Sequence, residues 1–382
     1  MASQHRLRPM LHWQLGQAHQ SLRLPTDVTA ALTATWRASA VRSLKLQREL
    51  LLTHQILADA GIRHMALKGA ALAWHAYPHP ALRPMRDLDI LVPADDALRA
   101  FDTLLKAGLS RTPSSRGHPA AMLQWHRHLP ALRSPSGTVT VELHSRLSGH
   151  GQEGTRTVDV SHSDSFWARG TTLPMAGASL PVTSPTDLLL HLIVHAVYDH
   201  EFNNGPVLLG DLAFLLDRQA IDWHLFWVLA EQGGHTRGCV LALSVMQLYW
   251  GAQPIDWQGN EPSPEDGSAA QADLAAHLML RDFDARFDVS LQASLTEEPG
   301  QIQGIRHLLR KLFRPRLEVA AAYPVSQHDP RVFLWYPVLW CRLAFERTPT
   351  FLRSRRRSGQ HEEAGRLLAL RQWLHAAAPH EP

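Results

Sequence analysis

RDLDILV, residues 86–92, places Asp87 and Asp89 two positions apart in a stretch that is otherwise apolar. In an extended strand residues i and i+2 point to the same face, about 6.5 Å apart along the chain. Asp87 and Asp89 therefore share one face, while Leu88 and Ile90 share the other. The apolar face anchors the strand in a core, and the acidic face collects two negative charges at one end of a sheet. Two ionised carboxylates that close repel, and without a partner one of them is driven to take up a proton. The sequence leaves two partners open. Arg83 and Arg86 lie near enough to form salt bridges at the mouth of the strand. Alternatively, a divalent cation such as Mg²⁺ takes one or two carboxylates and fills its other positions with water and phosphate oxygens.

Upstream, IRHMALKG (62–69) reads as a short strand running into a glycine turn, and AALAWHAY as a helix after it. Peptide N–H groups after Gly69, at Ala70 and the helix N-terminus, suit an anion such as phosphate. The basic side chains of Lys68, Arg83 and Arg86 are close in sequence to the same elements. Downstream, PADDALRAFDTLLKAG predicts a helix: Ala97, Leu98, Phe101, Leu104 and Leu105 recur at helical spacing, acids occupy the first turn, and Gly108 ends it. MLQWHRHLPAL and TVTVELH predict two strands around the turn-forming SPSG of residues 134–137. In TVTVELH, Val139, Val141 and Leu143 share one face, and Thr140, Glu142 and His144 the other. Glu142 is thus a candidate third metal ligand or general base, unless the alternation marks only an exposed face. Residues 61–147 read as a small α/β domain.

Residues 27–60 predict one or two long helices, with Thr26 as N-cap and Gly61 at the end. After a loop-rich passage (148–183), SPTDLLLHLIVHAVYDH opens a helical region with Ser184 as N-cap, Pro185 at the first helical position and Asp187 in the first turn. VLLGDLAFLLDR, DWHLFWVLAEQ and CVLALSVMQLYW continue it, and residues 258–273 read as a loop or linker. The expected organisation is an N-terminal helical segment (1–60), an α/β core (61–180) and a helical domain (181–382).

His191 and His195 lie at i and i+4 on one helical face, followed by His200 and Glu201. HLIVH lacks the glutamate of a metalloprotease helix, and among 24 histidines such a pair arises readily by chance. Helix packing or pocket lining is the simpler reading; a metal-dependent hydrolase on this face is the alternative. Trp223 and Trp227 read as core, and RSRRRSGQHEE near the C-terminus as a solvated charge run.

Composition narrows the classes. Apolar residues are 45% and charged residues 19%, which is globular, and a net charge of +3 does not call for a nucleic-acid partner. Cys239 and Cys341 are far apart, so neither a disulfide framework nor a cysteine zinc site is expected. The N-terminus lacks the apolar core of a signal peptide, and histidines cut the apolar runs short of membrane-spanning length. A cytoplasmic protein without a membrane partner is the expectation.

LKGAALAWHAY, RDLDILV, KAGL and VELH resemble a bacterial nucleotidyltransferase family found among polysaccharide and peptide natural-product gene sets. The helical LLLHLIVHAV with LLGDLAFLLDRQAIDW is similar to that family's second half. The family belongs to the superfamily of DNA polymerase β and the aminoglycoside nucleotidyltransferases, and the likeness spans roughly residues 50–350. It implies an α+β fold: a small polymerase β-like α/β core with N-terminal helices and a large C-terminal helical domain. It further implies transfer of an NMP from an NTP to a hydroxyl or phosphate acceptor on a small molecule, sugar or peptide, supported by Mg²⁺ or Mn²⁺. Two such ions, about 3.5–4 Å apart, steady an in-line attack on the α-phosphorus. By position, Asp87, Asp89 and Glu142 stand at the catalytic metal-binding carboxylates, with Lys68, Gly69, Ala70, Arg83 and Arg86 at the nucleotide. His144, His195 and Asp211 are possible substrate contacts. Ala70 departs from the pattern, standing where the superfamily has Ser or Gly, and the interval from Gly69 to Asp87 is longer than is common. A catalytically silent nucleotide- or partner-binding member is therefore the competing expectation.

Overall fold

The computed structural model describes residues 2–17, 24–147, 161, 163–251, 253–263, 268–281, 312–342 and 360–375. Seven strands form one mixed sheet: β1 (Met65–Ala66), β2 (Asp87–Leu91), β3 (Ser110–Arg111), β4 (Leu132–Arg133), β5 (Thr140–His144), β6 (Thr171–Met175) and β7 (Ala178–Val182), in the order β3-β4-β5-β2-β1-β7-β6. With its helices this is an α+β fold, as expected. RDLDILV lies at the middle of the sheet because its apolar face has somewhere to go: Leu88 and Ile90 are fully buried. β2 pairs parallel with β5 and antiparallel with β1.

Eleven helices and helical turns matter to the site and its support. The first are α1 (Arg8–Gln17), α2 (Thr26–Asp59), α3 (Lys68–His75), α4 (Ala97–Lys106), α5 (Pro119–Trp125) and α6 (Asp164–Ala168). Next come α7 (Pro185–Val194), α8 (Val207–Arg218), α9 (Trp223–Gln232), α10 (Thr236–Trp250) and α11 (Ser268–Leu280). At 1.5 Å per residue α2 runs about 50 Å, burying Leu46, Leu50 and Leu57 against the sheet side of the core. Thr26 is its first residue, not its cap. Pro25 holds the cap position with φ −53°, and its carbonyl accepts from Thr29 N–H. Ser184 does cap α7, its hydroxyl accepting from Asp187 N–H at 3.1 Å.

Three expectations are corrected. MLQW is helical, in α5, which starts on Pro119, where a fixed φ and a missing N–H suit the first turn; of that stretch only its last residue, Leu132, enters a strand, together with Arg133 after it. Residues 171–182, expected to be loop, form the β6–β7 hairpin, which joins the sheet through a single parallel pair, Ala66 with Val182. The linker expected over 258–273 ends sooner, since Ser268 begins α11. The basic run RSRRRSG (353–359) lies outside the described residues.

The apolar core runs without a break from β2 and β5 into α7, α8 and α10, linking Ile90 and Leu143 with Leu189, Leu212 and Leu241. Trp227 is buried in it, as expected, and Trp223 packs on its edge. A further helix, α12 (Arg316–Ala322), docks Ala320 and Ala321 on Ala121 and Met122 of α5. Gly117 permits that approach: a Cβ there would fall 2.0 Å from the Ala321 carbonyl oxygen. Among the described residues no helix is long and apolar enough to cross a membrane.

Candidate functional site

Register brings the acids together. In the parallel β2–β5 pair Asp87 lies opposite Thr140, Asp89 opposite Glu142, and Leu91 opposite His144. The acidic face of one strand and the Thr-Glu-His face of the other are thus one surface. Asp89, Glu142 and His144 each offer a ligand atom within 4.8 Å of the others. His144, expected only as a substrate contact, is the third member of that group in place of Asp87. Asp89 Oδ1 accepts from Lys68 Nζ at 3.0 Å and from His144 Nε2 at 2.7 Å. Its Oδ2 is left without a protein donor among the described residues. Asp87 takes neither a hydrogen bond nor an ion pair there.

The energetics follow from that crowding. Burial drives Asp89 toward its neutral form, but Lys68 and the His144 hydrogen bond overcome it and hold the carboxyl well below its ordinary range. Asp87 and Glu142 have no such partner. Burial and the Asp89 charge push Asp87 up, and burial with Asp89 and Asp87 pushes Glu142 up to about 7. His144, fully buried and beside Lys68, is pushed down to about 4 despite Asp89. It is therefore neutral at pH 7. A neutral imidazole donating through Nε2 keeps its lone pair on Nδ1, which is buried with no hydrogen-bond partner.

A cavity of about 370 Å³ opens on this face. Lys68, Gly69, Arg83, Arg86, Asp87, Asp89, Glu142, His144, His195 and Asp211 all line it, so ten of the residues singled out in the sequence meet there. Ala70 does not. Its side chain is 1% exposed in the core, and its N–H is taken by the Leu67 carbonyl at 3.0 Å. A serine hydroxyl at 70 would face the core, so the doubt attached to that residue loses its footing. The expected glycine turn is also displaced. Lys68 carries the left-handed backbone, φ +46°, and Gly69 is already helical. What Gly69 provides is room: a Cβ there would lie 2.8 Å from Met85 Sδ and 3.3 Å from Arg83 Nη1.

The salt bridges weighed for the acid pair do not form. Arg83 instead makes a bidentate pair with Asp211 on α8, Nε to Oδ1 at 2.7 Å and Nη2 to Oδ2 at 2.9 Å, and Tyr77 donates to Asp211 Oδ1 at 2.6 Å. Asp211 is thus charge-paired and hydrogen-bonded on both oxygens by the protein. Opposite the strands, the chain leaves α7 as five residues of π-helix, His195–Asp199. Asp199 there accepts from Arg127 and faces His195 Nδ1 at 3.3 Å. His191, one turn back, is buried and lies outside the cavity lining. Among the described residues the histidine pair expected for a hydrolase joins no group of metal ligands. His200, singled out beside the histidine pair, also lines the cavity, whereas sequence reading missed Arg6, Arg127, His128 and Asn204. Each sits in a turn or irregular segment, where no periodicity marks a facing.

Carboxylates from two parallel strands, met by a lysine at a cavity, make a site for charged phosphate chemistry. The model of a family described as an uncharacterised nucleotidyltransferase matches residues 1–251, and the chain belongs to that family. No curated protein matches the chain.

The donor set fits a hard divalent cation. Asp89 and Glu142 converge with His144, Asp87 stands beside them on the same face of β2, Asp87 and Glu142 are held above their usual range by burial and by the neighbouring acid charge, and Asp89 keeps an oxygen free. Oxygen donors of this kind suit Mg²⁺ or Mn²⁺.

Proposed function

We propose that the protein transfers an NMP from an NTP to a hydroxyl or phosphate acceptor on a small molecule, sugar or peptide, in a polysaccharide or natural-product pathway. The observation that carries this reading is the electrostatic deficit at Asp87 and Glu142 beside a cavity lined by basic side chains. Asp89, Asp87 and Glu142 would hold Mg²⁺ or Mn²⁺, with His144 fixing Asp89 from behind. Bound there, the ion would neutralise phosphate oxygens and polarise the phosphoryl group. Lys68 and Arg86 bind phosphate, and Arg83, locked by Asp211, presents its remaining N–H groups beside Gly69. The acceptor oxygen forms a bond to the α-phosphorus, the bond to the β-phosphate oxygen breaks, and pyrophosphate leaves with that electron pair. Glu142 receives the acceptor's proton. Positioning and charge neutralisation supply most of the acceleration, as in other phosphoryl transfers.

The test is incubation with each of the four NTPs, Mg²⁺ and host extract, followed by assay for pyrophosphate and for an adduct of nucleotide mass. Turnover that survives Asp87→Asn combined with Asp89→Asn would sink this mechanism. Nucleotide binding without any product would instead support the silent, nucleotide-binding member.

A further inference from the structure

Arg6 lies in the turn that precedes α1, in a segment expected to be helical only, yet its side chain lines the acid-bearing cavity. It is half-buried, and among the described residues none of its five side-chain donors has a hydrogen-bond or ion-pair partner. Burial and the neighbouring charges of Arg83 and Arg86 act against its own charge and outweigh the opposing pull of Asp87 and Asp211. Asp211 is already engaged by Arg83 and Tyr77, and no bond from Arg6 reaches it.

The position is nevertheless fixed from both sides. His5 is buried and its Nε2 meets the Leu280 carbonyl at 3.2 Å. Beyond Arg6, Trp13 of α1 packs edge-on against Phe214 of α8, with ring centroids 6.1 Å apart. Arg6 itself adopts φ +59°, a left-handed conformation costly for a side-chain-bearing residue. A guanidinium held in such a place without a protein acceptor is matched to an anion from outside.

Which part of a ligand it meets follows from the other cations. Lys68 is held by its bond to Asp89 at the acid cluster, the reacting end, and Arg127, toward the Glu142 side, is paired with Asp199. The cations without a protein acceptor among the described residues, Arg6 and Arg86, stand with Arg83 on the Asp87 side. Resting on the nucleotidyl-transfer reading above, we infer that Arg6, from the N-terminal segment, binds the β- and γ-phosphates of the NTP, and so the pyrophosphate that leaves. The triphosphate tail then points toward α1, and the acceptor approaches from the Glu142 and π-helix side.

Calorimetric titration of the full chain tests this, using each of the four NTPs, the matching NMPs and inorganic pyrophosphate, all with Mg²⁺. Arg6→Ala is expected to weaken NTP and pyrophosphate by about 10- to 100-fold, the scale of lost charge-assisted hydrogen bonds, and to leave NMP affinity within about twofold. Arg6→Lys, which keeps the charge but not the fork, recovers part of the loss and serves if the alanine variant melts early. Unchanged pyrophosphate and NTP binding in both variants overturns the assignment, as does an equal loss for NMP. A wild-type chain that binds no NTP overturns the nucleotidyl-transfer reading itself, whereas wild-type NTP binding with unaffected variants overturns only the role of Arg6.

Discussion

Two walls of one cavity treat buried acid in opposite ways. On the helical wall Asp211 is met by both arms of Arg83 and by Tyr77, and Asp199 by Arg127 and His195. On the strand wall Asp87 has no partner among the described residues, and Glu142 has only the neutral His144 at 3.9 Å. Burial costs a carboxylate several kcal/mol unless it is paired; the helical wall meets that cost within the protein, whereas on the strand wall only Asp89 is so met, by Lys68 and His144. The acids that hold the fold are those that look most satisfied. Two of the three acids proposed to act, Asp87 and Glu142, are ones the fold leaves under-compensated.

Substitutions on each wall should separate activity from stability. Asp87→Asn should lower turnover by about 100- to 1,000-fold without lowering the melting temperature, measured by pyrophosphate release and calorimetry, because Asp87 has no partner among the described residues to lose; a clear fall in stability would place Asp87 with the structural acids. Asp211→Asn should do the reverse, costing about 3–5 kcal/mol in denaturant unfolding because Arg83 is left buried without a counter-charge. If Asp211→Asn folds as well as wild type, the division between the walls fails.

The pH response sharpens the same contrast. His235, in the helical half, is buried and its pKa is pushed down to about 4. The unfolded chain binds this proton below about pH 6.5 while the folded chain refuses it, so stability is full above pH 6.5 and falls as pH drops toward 4. Between pH 7 and 5 the loss is about 2 kcal/mol, and His235→Asn should flatten the wild-type slope by that amount in pH-dependent melts. Glu142 acts with the opposite sign, its raised pKa favouring the folded state as pH falls through 7. The smallest expected effect is that of Asp87→Asn on stability: it removes a repelled charge and should raise the melting temperature in EDTA by about 1–2 °C. A fall there would show that Asp87 has a partner in solution.

Much of the strand wall was legible beforehand because a period of two needs only five residues to declare itself: Leu88 and Ile90 inward, Asp87 and Asp89 outward, Glu142 and His144 likewise on β5. The β6–β7 hairpin was hidden by Pro174 and Pro181, which demote a stretch read as strand. Here β6 is an edge strand and β7 touches β1 only at Val182, so neither proline breaks a central ladder. Arg6 and Arg127 were illegible for another reason. They reach the cavity from 81 and 40 positions away from Asp87 in sequence, and their facing is decided by tertiary packing rather than by any local repeat.

Lys68 is under two demands that no single residue meets. Its backbone sits at φ +46°, where glycine is at ease and a side chain costs ~1 kcal/mol or more, while its ammonium is the protein's own counter-charge to Asp89. Glycine at 68 would relax the chain and strip the acid strand of its cation; any uncharged side chain would keep the strain and supply no counter-charge. Under random mutation with selection for folding alone, position 68 should drift toward glycine, and under selection for turnover it should return to lysine.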